Sequence, residues 1–220
     1  MKNKSYIGIS LVILLFGIYT VPKVVVYFSK PNLAYFYNED KEKIAVPSFE
    51  FINQKGKTVT NETYKGKVYV VEFFFTTCPT ICPMMNSKMV TIQNEFFGNP
   101  NFGIASISIN PTYDTPAILK EYADKYKVSS PNWHMLTGKP QEEVYKLAIE
   151  GFKLYAGAAG EEVGGFEHSG LFALIDKEGN IRSRYDENGN PIMYYRAIPE
   201  GDFSDQIGEL KQDIKRLINE

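Results

Sequence analysis

Cysteine is almost missing from this chain: of 220 residues, only Cys78 and Cys82 carry a thiol. Two thiols cannot make the disulfide framework of a small secreted scaffold. A structural staple is also a poor reading, because a loop with three residues between its ends restricts the unfolded chain little. Histidine is equally scarce, at His134 and His168, so any imidazole in a site comes from one of them. No arginine precedes Arg182, which counts against a peroxidase whose reactive cysteine leans on a nearby arginine. Lysine plus arginine (24) nearly balances aspartate plus glutamate (26) without a basic block, so nucleic acid is not expected as a partner. The stretch GAAGEEVGG at 157–165 neither follows a strand nor spells G-x-G-x-x-G. It reads as an exposed loop rather than a nucleotide cradle.

Long apolar runs are few, and the first sets the expected location. Ser5 to Pro22 is uncharged and rich in Ile, Leu, Val and Phe, with Lys2 and Lys4 before it and VVVYF after Lys23. About 18 to 20 helical residues cross a hydrocarbon core, so residues 1–28 are expected to form one transmembrane anchor. A cleaved signal peptide is the alternative, but no A-x-A-like site follows Thr20. The leading lysines favour a cytoplasmic N-terminus. The expectation is a single-pass protein of the inner, cytoplasmic membrane with its bulk facing the periplasm or outside. Residues 29–43, ending in NEDKEK, read as a linker, and 44–220 suit one domain.

Within that domain VYVVEFFF (68–75) and FGIASISI (102–109) are apolar runs of the kind buried on both faces of a helix-covered sheet. Between them Met85, Met89, Ile92 and Phe96 repeat at helical spacing, completing a β-α-β unit. Thr115 and Pro116 suit the cap and first position of the next helix. WHMLTG (133–138) is a short strand, and Pro140 opens a helix through Val144, Leu147 and Ala148. Leu171–Asp176 and Ile181–Tyr185 form a hairpin through KEGN, before a final helix with Phe203, Ile207, Leu210, Ile214, Leu217 and Ile218 on one face. The pattern predicts an α/β, thioredoxin-like sheet. A hairpin extension within KIAVPSFEFINQKGKTVT (43–60) should decorate its front.

TTCPTICPMM (76–85) stands where the central strand turns into a helix, the edge at which α/β folds place their sites. Pro79 suits a first helical position, which would put Cys82 about one turn beyond Cys78 on the same side. A helix N-terminus should ease ionisation of at least one thiol. Such a pair can form a disulfide or grip a soft metal, Cu(I) or zinc if an imidazole joins. The extra residue relative to C-x-x-C loosens a simple dithiol and leaves room for an ion. In thioredoxin folds the loop before the strand at 171 approaches the cysteines, and a proline ordinarily shields them there. No proline occurs from Gly151 to Asn190, and His168 stands near that place. His168 is therefore the expected third ligand, whereas His134 reads as a partly exposed strand residue. Met84, Met85 and Met89 read as core.

CPTICP after an aromatic strand, SINPTYDTP, WHMLTG and EHSGLFALIDKEGNIRSRY occur here in the order seen in the SCO/SenC family of copper chaperones. The chain resembles that family over residues 44–220. The resemblance implies a membrane-tethered thioredoxin-like domain that binds copper, Cu(I) or Cu(II), through Cys78, Cys82 and His168. It also implies delivery of copper to the dinuclear centre of cytochrome c oxidase subunit II or to other copper proteins, or reduction of the target's cysteines. Asn110 and Thr80 stand where the family often has Asp, which questions any role carried by those carboxylates. Asp114 matches the family's D-T-P, and its simplest role is structural, at the helix start. A thiol–disulfide oxidoreductase acting through Cys78 and Cys82 remains the alternative, with a peroxidase third.

Overall fold

A computed structural model describes residues 4–28, 32–158, 160 and 166–220, with side chains over 8–21, 32–158, 160 and 169–220. The chain divides into two compact units, Met1–Asn32 and Leu33–Glu220.

The first unit contains α1 (Lys4–Phe28). Its described side chains are mostly exposed and apolar, among them Leu11, Val12, Ile13, Leu14 and Phe16. The Thr20 hydroxyl donates back to the Phe16 carbonyl (2.7 Å), so it needs no partner outside the helix. Among the described residues no helix is long and apolar enough to cross a membrane, so the expected spanning helix is not found there.

The second unit is built on two strands buried along their whole length, β4 (Val68–Phe74) and β5 (Phe102–Ser108), paired in parallel. Burial on both faces explains their unbroken apolar runs. The crossover between them is α3 (Ile81–Glu95), and α4 (Pro116–Lys125) leads to β6 (Trp133–Thr137), again parallel to β5. The Thr115 hydroxyl accepts from the Ile118 N–H, with proline at the helix start, as expected. After β6 come α5 (Gln141–Lys146) and a π-helical turn (Leu147–Gly151).

β9 (Leu171–Ile175) runs antiparallel to β4 and turns into β10 (Ile181–Ser183). Asp176 Oδ1 closes that turn by accepting from the N–H groups of Glu178 and Asn180. The N-terminal hairpin, β2 (Glu50–Asn53) and β3 (Thr58–Thr60), extends the sheet by pairing with β6. β1 (Ala34–Tyr35), inside the segment read as a linker, forms the opposite edge on β10. Among the described residues the sheet has nine strands, ordered β1-β10-β9-β4-β5-β6-β2-β3, with β11 (Tyr195–Arg196) also beside β9.

On one face Phe74 meets Tyr122 of α4 at 5.6 Å between ring centres. Glu95 of α3 pairs there with Lys211 and Lys215 of α6 (Ile207–Asn219). On the other face Phe73 meets Phe152 edge-on at 5.6 Å, and α2 (Asn61–Tyr64) stacks Tyr64 on Tyr69. The last helix starts later than its apolar pattern predicts. Phe203 lies outside it and is exposed, with the Arg196 guanidinium 4.9 Å above its ring.

Arg182 locks the β1 edge. Almost fully buried, it pairs with Asp176 (3.1 Å), donates to the Leu33 carbonyl (3.1 Å) and lies 3.8 Å over the Tyr35 ring. Arg182→Ala leaves the buried Asp176 carboxylate without its paired charge, though not without its turn hydrogen bonds, and should cost about 3–5 kcal/mol, read as a lower denaturant midpoint. A loss under about 1 kcal/mol would show that Asp176 finds water there.

Candidate metal centre

β4 ends at Phe74 and α3 begins at Ile81, and the intervening turn carries Cys78, whose N–H donates to the Phe75 carbonyl (3.3 Å). Thr80 is the N-cap residue, so Pro79 lies ahead of the helix and not at its first position as expected. Pro83 instead occupies the first turn, where a missing N–H is harmless. Cys82 therefore sits at the start of the helix with Cys78 in the turn beside it.

Both cysteines are thiols, and the Cys78 and Cys82 side chains hydrogen-bond to each other. Cys78 is 8% exposed and Cys82 0%. The Thr80 hydroxyl lies 3.7 Å from Cys78 Sγ. Burial pushes the Cys82 thiol far above its ordinary range, the neighbouring Cys78 and the Glu72 charge push it further, and the Phe75 main chain opposes them. Easier ionisation at the helix N-terminus is thus not met at Cys82, where desolvation outweighs the dipole.

Three buried polar side chains that the sequence reading did not place at the site surround the pair. Glu72, the single charge in the β4 run, accepts from the Ser106 hydroxyl (2.6 Å), which in turn accepts from Trp133 Nε1 (2.9 Å). Asn86, one helical turn beyond Cys82, donates to the Cys82 carbonyl (3.0 Å) and the Tyr122 hydroxyl (2.8 Å). Asp114 does not cap α4, a task left to Thr115. Its carboxylate turns to Thr76 and Ser108, and burial pushes its pKa up while those hydrogen bonds hold it down. The helical spacing of Asn86 from Cys82 and the lone glutamate among aromatics were the available signals.

His168 ends β8 (Phe166–His168), which pairs with β7 (Ala156–Ala158), His168 opposite Ala156. The loop reading of 157–165 thus missed a small hairpin whose first strand is Ala156–Ala158. Tyr69 pairs with Ile175 and Val71 with Ala173, so each step up β4 toward Cys78 is matched by a step back along β9 toward His168. The His168 side chain lies outside the described residues.

His134 is not gathered with the cysteines. It lies on β6, its Nδ1 accepting from Asn53 Nδ2 (3.1 Å), its ring edge-on to Tyr64. Burial, with Lys55 and Lys67 nearby, lowers its pKa to about 4. A depressed histidine leaves the unfolded chain holding the extra proton, so folding weakens as pH falls from about 6.5 toward 4. His134→Gln should abolish about 1–2 kcal/mol of that loss at pH 4.5, measured by urea unfolding. An unchanged pH profile would discount the burial of this ring.

Met85 and Met89 are buried, as expected for core, but Met84 is 49% exposed. Among the described residues no three His, Cys, Asp or Glu side chains are grouped to hold a metal; the cysteine pair offers two soft donors.

The model of the SCO1/SenC family matches residues 38–200. The chain belongs to the SCO1/SenC family. A SCO1 protein homolog of Bacillus subtilis is 35% identical over 175 residues, covering 79% of this chain and 84% of that protein. The structure of BsSco, a member of the Sco family of cytochrome c oxidase assembly proteins with a disulfide switch, superposes with a TM-score of 0.66. Its identity is 29%, covering 86% of this chain and 97% of that one. Bradyrhizobium japonicum ScoI with copper bound gives a TM-score of 0.56 at 25% identity, covering 79% and 99%. The mixed α/β arrangement described above is the thioredoxin-like fold of these SCO1/SenC proteins.

Proposed function

We propose that this chain is a copper-binding assembly factor, taking copper as its cargo on Cys78, Cys82 and His168. It passes the metal to the dinuclear centre of cytochrome c oxidase subunit II or to a related copper protein. The observation that carries this reading is the meeting of two thiols at the carboxyl edge of β4, within a SCO1/SenC domain. The β4–β9 register supports His168 as third donor, since it runs that residue toward the cysteine turn. Two thiolates and an imidazole suit a soft ion such as Cu(I). Membrane attachment through residues 1–28, with the domain outside the cytoplasm, is part of the proposal. The exposed apolar side chains on every side of α1 support it, because such a surface is unfavourable in water. Its check is cleavage of the domain, in intact cells stripped of outer barriers, by protease added outside.

The central test is titration of the reduced full chain in detergent with Cu(I) against a competing chelator, repeated with zinc. One tightly held Cu(I) that zinc does not displace is expected. Absence of Cu(I) uptake, together with brisk reduction of model disulfides, would transfer the function to thiol–disulfide exchange. The unequal burial of the two sulfurs is the observation favouring that second reading.

A further inference from the structure

Asp114 is fully buried between β5 and α4, yet its carboxylate serves neither element's hydrogen bonding alone. Oδ2 accepts from the Thr76 N–H (3.2 Å) and from the Ser108 hydroxyl, while Oδ1 accepts from the Thr76 hydroxyl. Ser108 Oγ also accepts from the Asn110 N–H (3.1 Å), and the Asn110 carbonyl accepts from Asp114 N–H (2.9 Å). One carboxylate thus ties the end of β5 to the residue two places before Cys78. Phe75, beside Thr76, bonds both cysteines, its carbonyl accepting from Cys78 N–H and its main chain meeting the Cys82 thiol. The connection from Asp114 to the Cys78 main chain and the Cys82 thiol therefore passes through two consecutive residues. Removing a carboxylate from water is costly, and a neutral residue could link β5 to α4 without that cost.

We propose that Asp114 is a positioning residue for the dithiol, holding the Phe75–Thr76 turn so that the Cys78 sulfur stays against that of Cys82. The effective concentration of one thiol toward the other governs disulfide stability and chelation of an ion alike. Only the second of these rests on the copper reading.

The test uses Asp114→Asn, Thr76→Val and the double variant in the full chain. Leu210→Ala, buried on α6, is the control that loses stability elsewhere. Two quantities are read: the dithiol–disulfide equilibrium in glutathione buffers, and Cu(I) affinity. Each single variant should weaken disulfide formation about tenfold, a potential about 30 mV higher, and weaken Cu(I) binding by a similar factor. The double variant should do no worse than the more affected single, because Thr76→Val removes the hydroxyl bond of the same tie that Asp114→Asn weakens. Leu210→Ala should lower the melting temperature and leave both readouts within about twofold. Asp114→Asn behaving like Leu210→Ala, or strict additivity with Thr76→Val, overturns the proposal. If Asp114→Asn does not fold, Thr76→Val decides by the same redox criterion. A parent that binds no Cu(I) while the redox shifts appear refutes the copper reading and leaves the positioning role standing.

Discussion

Serine in place of Cys82 should lower the Cu(I) affinity of the reduced chain by a hundredfold to a thousandfold. Structural zinc sites gain about 10–16 kcal/mol from four donors, so one thiolate is worth roughly 3–4 kcal/mol. The pH dependence should change with it. Burial holds the proton on Cys82 through the neutral range, and an arriving ion has to displace it. Rising pH strips that proton and favours the ion, so affinity of the parent should climb about tenfold per pH unit for that proton alone. The Cys82→Ser variant should lose one unit of that slope. A hydroxyl at a fully buried position costs about 1–3 kcal/mol of stability, so its folding is checked by thermal unfolding at the same time. An unchanged affinity or slope in folded protein would remove Cys82 from the site.

Alanine in place of His168 should separate copper binding from disulfide reduction, the two readings of the cysteine pair. Cu(I) affinity should fall by about tenfold to hundredfold, less than for Cys82, because imidazole is a less soft donor than thiolate. The dithiol keeps its own contacts, so reduction of a model disulfide should proceed within about twofold of the parent rate. Cu(I) held as tightly by His168→Ala as by the parent would sink the assignment of the third donor. Loss of disulfide reduction as well would mean that β8 shapes the cysteine turn and does more than present an imidazole.

Most of the sheet was legible because its signals are local. Val68–Phe75 and Phe102–Ile109 announce strands buried on both faces, and Thr115-Pro116 announces a helix start; all three are observed where expected. The KEGN turn likewise joins β9 to β10. What escaped depends on partners distant in sequence. The strand at Ala34–Tyr35 exists because Arg182, far along the chain, holds Leu33 and Tyr35, and nothing in NLAYFY declares that. Ala156–Ala158 lacks any strand-forming side chain and is ordered by its pairing with Phe166–His168. At the site the pair of cysteines was evident from spacing. The burial that keeps Cys82 from being the more easily ionised thiol, and the carboxylate of Asp114 beneath Thr76, follow only from tertiary packing.

The slight exposure kept by Cys78, and by Cys82 not at all, favours an order of events. Whatever comes from solution, an ion or a partner's sulfur, encounters Cys78 before Cys82. Were the chain to exchange with a disulfide, the Cys78 thiolate would attack one partner sulfur and expel the other as thiolate. Cys82 would then attack Cys78, releasing the second partner thiol and leaving the chain oxidised. An ion would travel the same staircase, landing at the doorstep and then sinking, and would leave by retracing it.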